Sequence, residues 1–182
     1  MEKFFNTTGP CDPQRHYMLP PAERLVNAQL DKYISGQLYW VLHAPRQTGK
    51  TTFLLSYMKD INQSGEAAAC YVSLERAQGL SEIELSMPEI CEAVKEYAEL
   101  YLGKELVPDF SNREAPGSML SSIMISWAKL TAPKPLVVLF DEADVLQDQT
   151  MISFLRQLRG GFVGRGVGTF PVSIALVGMR DL

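Results

Sequence analysis

The residue types that could do chemistry in this chain concentrate in two short segments. They are Ala44-Pro45-Arg46-Gln47-Thr48-Gly49-Lys50-Thr51-Thr52 and Leu136-Val137-Val138-Leu139-Phe140-Asp141-Glu142. The first lies between an apolar, β-prone run, Leu38 to His43, and a stretch with Phe53, Leu54, Met58 and Ile61 at helical spacing. A strand that turns into a helix through such a loop points backbone N–H groups at one spot, and that spot suits phosphate oxygens. Gly49 permits close backbone approach, Lys50 can reach β- and γ-phosphates, and the Thr51 hydroxyl can ligate Mg²⁺. The phosphate-loop pattern G-x-x-x-x-G-K-[ST] has Ala44 in place of its first glycine. Alanine disfavours positive φ, so an αL-like turn at that position would cost affinity.

Gly-Lys-Ser/Thr alone arises by chance in roughly one chain in ten of this length. The second segment supplies independent support. An apolar run ending in two acids reads as a buried strand that delivers both carboxylates to its C-terminal edge, where open α/β sheets bind ligands. Asp141 suits a role in holding Mg²⁺ through a water. Glu142 suits orienting and polarising an attacking water. The separation of the two segments leaves room for two or three βα units.

The rest of the chain supplies the elements that must position these groups. Residues 1–20 are rich in Thr, Gly and Pro and read as an irregular arm. Residues 21–182 read as the core domain. Leu25, Val26, Leu30, Tyr33 and Ile34 predict a helix over about 21 to 35, ended by Gly36. Ala68 to Leu74, Leu136 to Phe140 and Val172 to Val177 predict further strands. Helices are expected after Pro88 (Ile90, Val94, Tyr97, Tyr101), over Met119 to Leu130, and around Phe154 to Leu158. Residues 103–118 and the flexible glycine-rich stretch Gly160 to Gly168 are expected as loops. Continuous apolar strands alternating with helices imply an α/β fold with a parallel sheet covered on both faces.

Composition excludes several classes. With 182 residues, 46% hydrophobic and 21% charged, the chain suits one globular domain. A net charge of -4 gives no global attraction to nucleic acid or to an anionic membrane. Arg156, Arg159 and Arg165 flank the glycine-rich stretch and read as a solvated loop. No apolar run is long enough for a membrane span. Cys11, Cys70 and Cys91 are widely spaced without a CxxC pair, as buried free thiols in a reducing cytoplasm would be. His16 and His43 show no metal spacing, and His43 is expected to pack under the phosphate loop. Tyr97, Tyr101 and Trp127 read as packing residues.

With both segments placed, the chain resembles P-loop ATPases of the AAA-like and signal-transduction (STAND-type) group. The likeness extends to the arm, Phe5-Asn6-Thr7-Thr8-Gly9-Pro10-Cys11 and Arg15 to Pro21, and to His43 through Thr52. It implies a P-loop NTPase three-layer sandwich of the additional-strand type, with a strand order of 5-1-4-3-2. Glu142 fits that group, because kinases and GTPases generally lack an acid there. The resemblance further implies ATP and Mg²⁺ as cofactors, ATP hydrolysis driving a conformational switch, and a homo-oligomer or protein partner. It makes Ala44 a family trait, gives Arg180 the place of a γ-phosphate sensor, and brings residues between Tyr17 and Arg24 to adenine. It also implies a fifth strand and a helical lid beyond Leu182, so the core is expected to be incomplete at its C-terminus. A nucleotide-binding interaction module with little hydrolysis is the alternative.

Overall fold

The computed structural model describes residues 2–7, 9–19, 30–110 and 114–179. Its elements run α1 (Asp31–Ser35), β1 (Trp40–His43), α2 (Lys50–Ser64), β2 (Ala68–Ser73), α3 (Ile83–Leu102), α4 (Pro116–Thr131), β3 (Leu136–Asp141), α5 (Asp148–Phe162) and β4 (Ser173–Gly178). The four strands form one parallel sheet in the order β1-β4-β3-β2. Parallel neighbours require long crossovers, and the helices supply them. One strand, β4, separates the strand that enters the phosphate loop from the strand that carries the acids, as the 1-4-3-2 part of the expected order requires.

Side chains alternate across the sheet with a period of two. Leu136, Val138 and Phe140 join Cys70, Val72 and Ile174 in a core shared with α3, α4 and α5. Val137 and Leu139 join Ala69, Tyr71, Ala175 and Val177 in a second core against α2. The result is three layers, helices on both faces of the sheet. Counting onward by two from Val137 and Leu139 brings Asp141 to the α2 face. Chain parity therefore delivers the carboxylate to the helix that begins with Lys50 and Thr51.

Several expectations need correction. The strand before the loop is not buried throughout. Trp40 is buried and Leu42 half-buried, while Val41 and His43 are exposed, because among the described residues β1 has a neighbour on one side only. His43 thus does not pack under the phosphate loop. Helix α3 begins at Ile83 and runs through Pro88. An internal proline costs about 3 kcal/mol, but Met87, Ile90, Cys91 and Val94 on the same helix are buried in the core and offset it. Helix α4 begins at Pro116, earlier than expected, with the proline at the first turn where its missing N–H is harmless. Of the helix expected over 21 to 35, the described part is Asp31–Ser35, capped by Gly36, and residues 21–29 lie outside the described residues.

The glycine-rich stretch is not a flexible loop. Gly160, Gly161 and Phe162 are the last residues of α5. The turn after them closes on itself, with Gly166 N–H and Phe170 N–H each donating to the other's carbonyl, at 3.1 and 3.2 Å. Arg165 donates to the carbonyls of Gln37 and Phe162 and lies 3.7 Å over the Phe162 ring. The buried Phe170 ring rests on Gly161, where a methyl group would overlap it. Gly160, one residue away, faces open space.

These adjacent glycines give opposite expectations. Gly160→Ala should stabilise by about 0.5–1 kcal/mol, the usual helical gain. Gly161→Ala should lower the melting temperature by several degrees, because the ring must leave its seat. Thermal unfolding of the two variants beside the wild type checks both signs.

Candidate functional site

The phosphate loop leaves β1 at His43 and turns back into α2. Its backbone takes positive φ at Gln47 (58°) and Gly49 (86°), but not at Ala44. Alanine is therefore accommodated without strain at the position where the pattern has glycine, and Gln47 carries the left-handed turn instead. Gly49 caps α2 in that conformation. The Lys50 ammonium folds over the loop, donating to the carbonyls of Ala44 (2.8 Å) and Pro45 (3.0 Å). Thr48 Oγ1 donates to the Pro45 carbonyl at 2.8 Å. Arg46 Nε contacts Met179 Sδ, at the end of β4, at 3.0 Å.

The two sequence segments meet at a hydrogen bond. Thr51 Oγ1 donates to Asp141 Oδ2 at 2.6 Å. Asp141 is 1% exposed, so its carboxylate depends on protein donors. Oδ2 also accepts from Tyr71 at 3.2 Å, and Oδ1 accepts the Glu142 N–H at 3.0 Å. Glu142 itself turns out of the strand at φ 59°, ψ 32°, a left-handed conformation that is strained for a residue with a Cβ. That turn swings its carboxylate away from the sheet and onto the cleft wall. Burial first, then the charges of Asp141 and Asp144, push its pKa above the ordinary value, with Lys50 opposing.

The cleft has a volume of about 1000 Å³, enough for a nucleotide. Its wall carries two cationic side chains, Arg46 and Lys50, against three carboxylates, Glu75, Glu142 and Asp144. A polyphosphate entering it meets net like charge and needs a cation at the acidic side. Thr51 on that wall, and the buried Asp141 hydrogen-bonded behind it, supply hard oxygens, which suit Mg²⁺ rather than a softer metal. Among the described residues no three His, Cys, Asp or Glu side chains come together as a protein-only metal cage.

A second, apolar pocket of about 150 Å³ opens beside the loop. Cys11, Met18, Leu19, Leu42 and Phe53 line it, together with residues of the loop. The arm builds one side of both cavities, because Asn6, Pro10 and Cys11 also border the larger cleft. Cys11 N–H donates to Thr52 Oγ1 at 3.0 Å, which docks the arm on the first turn of α2. Tyr17 points elsewhere, half exposed against the Phe5 ring at 5.2 Å.

The structure thus brings Ala44 through Thr52, Asp141 and Glu142 together. Arg180, and Pro20 through Arg24, lie outside the described residues. Sequence reading missed three contributors. Tyr71 needs the β2–β3 register to be found. Asp144 follows Glu142 by two, in the short 3₁₀ turn Ala143–Val145. Its Oδ1 is buried, has no partner among the described residues, and sits where a side chain on Gly178 would collide with it. Cys11 is half-buried on the cleft wall, unlike the buried Cys70 and Cys91. No helix among the described residues is long and apolar enough to cross a membrane.

No protein-family model and no curated protein sequence matches the chain. Among solved structures the fold is similar to that of Cdc6p from Pyrobaculum aerophilum, with a TM-score of 0.59 and 18% identity. The match covers 90% of this chain, which spans 40% of that protein's length. At that identity the likeness bears on the fold alone, and it supports an α/β fold of the P-loop NTPase type.

The state of Glu142 leads to a stability test. Its folded pKa is raised, so at neutral pH the folded state holds a charge the unfolded chain tolerates better. The penalty is present at pH 7 and is relieved as pH falls through the folded pKa. Glu142→Gln should therefore raise the melting temperature at pH 7, with the gain vanishing near pH 4. Glu142→Gly should add about 1 kcal/mol by releasing the left-handed strain. Melting curves of both variants between pH 4 and 8 check the sign and the order.

Proposed function

We propose that the chain binds Mg–ATP in this cleft and hydrolyses it to ADP and phosphate, using the cycle to drive a conformational switch. The observation that carries the reading is the 2.6 Å contact from Thr51 to the buried Asp141, which joins loop and acidic strand in one site. Backbone N–H groups of residues 46–52 cradle the phosphates. Lys50 exchanges its loop carbonyls for β- and γ-phosphate oxygens. Thr51 and Asp141 hold Mg²⁺, which when bound neutralises charge on the β- and γ-oxygens. Glu142 orients the attacking water and accepts its proton, a task suited to a carboxylate whose pKa is shifted toward neutrality. Arg180, which follows Met179 of the cleft wall in sequence, is assigned the sensing of the γ-phosphate.

The apolar pocket supports adenine as the base. Its lining of thiol, thioether, aliphatic and phenyl groups suits a flat heterocycle, and among the described residues no carboxylate lines it to take up the N–H donors of guanine. Met18 and Leu19 bring the arm to that base.

Lys50→Ala should weaken ATP binding by a hundredfold or more, measured by calorimetry or fluorescent-nucleotide displacement. Affinity retained within threefold would remove the phosphate site from the loop. Glu142→Gln should keep ATP binding and lower the rate of phosphate release by 10²–10⁴, the span expected for loss of a general base. It should also erase the acidic limb of the pH–rate profile. A wild-type chain that binds Mg–ATP but releases no phosphate above buffer would instead make this a nucleotide-binding interaction module.

A further inference from the structure

The side chain of Tyr71 stands outside both sequence segments, yet it touches their meeting point. Strand β2 pairs with β3 so that Ser73 lies opposite Asp141, and Tyr71, two residues earlier, is on the same face. The Tyr71 hydroxyl reaches diagonally to Asp141 Oδ2 at 3.2 Å, the oxygen that also accepts from Thr51 at 2.6 Å. A carboxylate offers about four acceptor directions. Thr51 and Tyr71 fill the two on Oδ2, and the Glu142 N–H fills one on Oδ1. Among the described residues that leaves one acceptor direction, on Oδ1.

The tyrosine is held for this task. Its backbone N–H donates to Met58 Sδ at 3.3 Å. Its ring is flanked edge-on by Tyr97 and Tyr101, with centroids at 5.5 and 6.2 Å, and those two rings stack on each other at 6.1 Å. Tyr71 is 7% exposed.

We infer that Tyr71 is a positioning residue for the divalent cation: its hydroxyl fixes the Asp141 carboxylate so that one oxygen lone pair is presented to a water of the hydrated ion. The inference rests on the Mg–ATP reading above and deepens it. Tyr71 itself touches neither nucleotide nor ion. Without its hydroxyl, Oδ2 keeps Thr51 alone and has an empty acceptor direction facing a phenyl edge, so the carboxylate is held less tightly. Loss of such an orienting partner costs on the order of tenfold or more in metal affinity.

The measurement is the ratio of ATP affinity with 5 mM Mg²⁺ to that in EDTA, by calorimetry, on the full chain. In Tyr71→Phe this ratio should fall about tenfold, while affinity in EDTA stays within twofold of wild type. Tyr101→Phe removes a hydroxyl from the same aromatic cluster without touching Asp141, and should leave the ratio unchanged. A purely structural role would lower both affinities together. An unchanged ratio in folded Tyr71→Phe would overturn the proposal, as would an equal fall in Tyr101→Phe. Should Tyr71→Phe not fold, the wild type still decides: the Tyr71 ¹³Cζ resonance should move when Mg²⁺ is added to the ATP-bound chain, and a static resonance refutes the assignment. A wild-type ratio of one removes the Mg–ATP reading itself, and the role of Tyr71 with it.

Discussion

A carboxylate buried to 1% exposure must be satisfied by protein donors, and the architecture is arranged around doing so for Asp141. Its three donors come from three places: Thr51 on α2, Tyr71 on β2 and the backbone of Glu142 at the end of β3. Removing any one leaves a buried acceptor short. The contact therefore fixes the depth of α2 along the sheet, the β2–β3 register and the turn after β3 together. Strand β4 is locked into the same arrangement from the other side. Its last residue, Gly178, accepts the Ala44 N–H at 3.3 Å and lies against Asp144 with no space for a side chain. Both strand ends next to the cleft are thus positioned by groups that also border it.

The same region holds strain and unfavourable charge. Gln47 and Glu142 adopt left-handed backbone, which costs each of them roughly 1–2 kcal/mol. Three carboxylates line the cleft against two cationic side chains. Nothing in a stable apo fold calls for these choices, and glycine at 142 would be easier. They persist because the parallel sheet and its two apolar cores are rigid enough to impose them. On the proposed reading, an incoming polyphosphate with its cation would relieve part of the cost by compensating charge, which would link nucleotide binding to folding stability.

Much of this was legible in the sequence, and what was not has physical causes. The apolar runs at Ala68, Leu136 and Val172 announced strands because parallel strands covered on both faces have no polar side. Gly49-Lys50-Thr51 and Asp141-Glu142 were legible because their chemistry is local. Tyr71 was not, since its role exists only once two strands distant in sequence are set in register. Helix α3 hid behind Pro88, whose local penalty was outweighed by core contacts that no window of sequence contains. The stretch Gly160 to Gly168 looked flexible by composition, while two of its glycines extend α5 and one makes room for Phe170. In each case local propensity was read correctly and tertiary packing overrode it.

The consecutive threonines of α2 show how one helix turn serves two sides of the site. Successive residues on a helix point about 100° apart. Thr51 therefore faces the sheet and reaches Asp141, while Thr52 faces the arm and accepts Cys11 N–H. The arm has little regular structure, and many of its contacts are its own: Phe4 N–H donates to the Arg15 carbonyl, the Phe4 carbonyl accepts the Tyr17 N–H, and the Phe4 and His16 rings meet at 4.8 Å. The Cys11 N–H bond ties it to the core, and that bond ends on Thr52, the residue next to the proposed metal ligand. Any rotation of the first turn of α2 that brings Thr51 toward a cation must move Thr52 as well. The arm supplies Cys11, Met18 and Leu19 to the apolar pocket. The larger cleft and the apolar pocket share Cys11, Gly49, Lys50 and Thr52, so on the proposed reading the phosphate end and the base end are coupled through the first turn of α2.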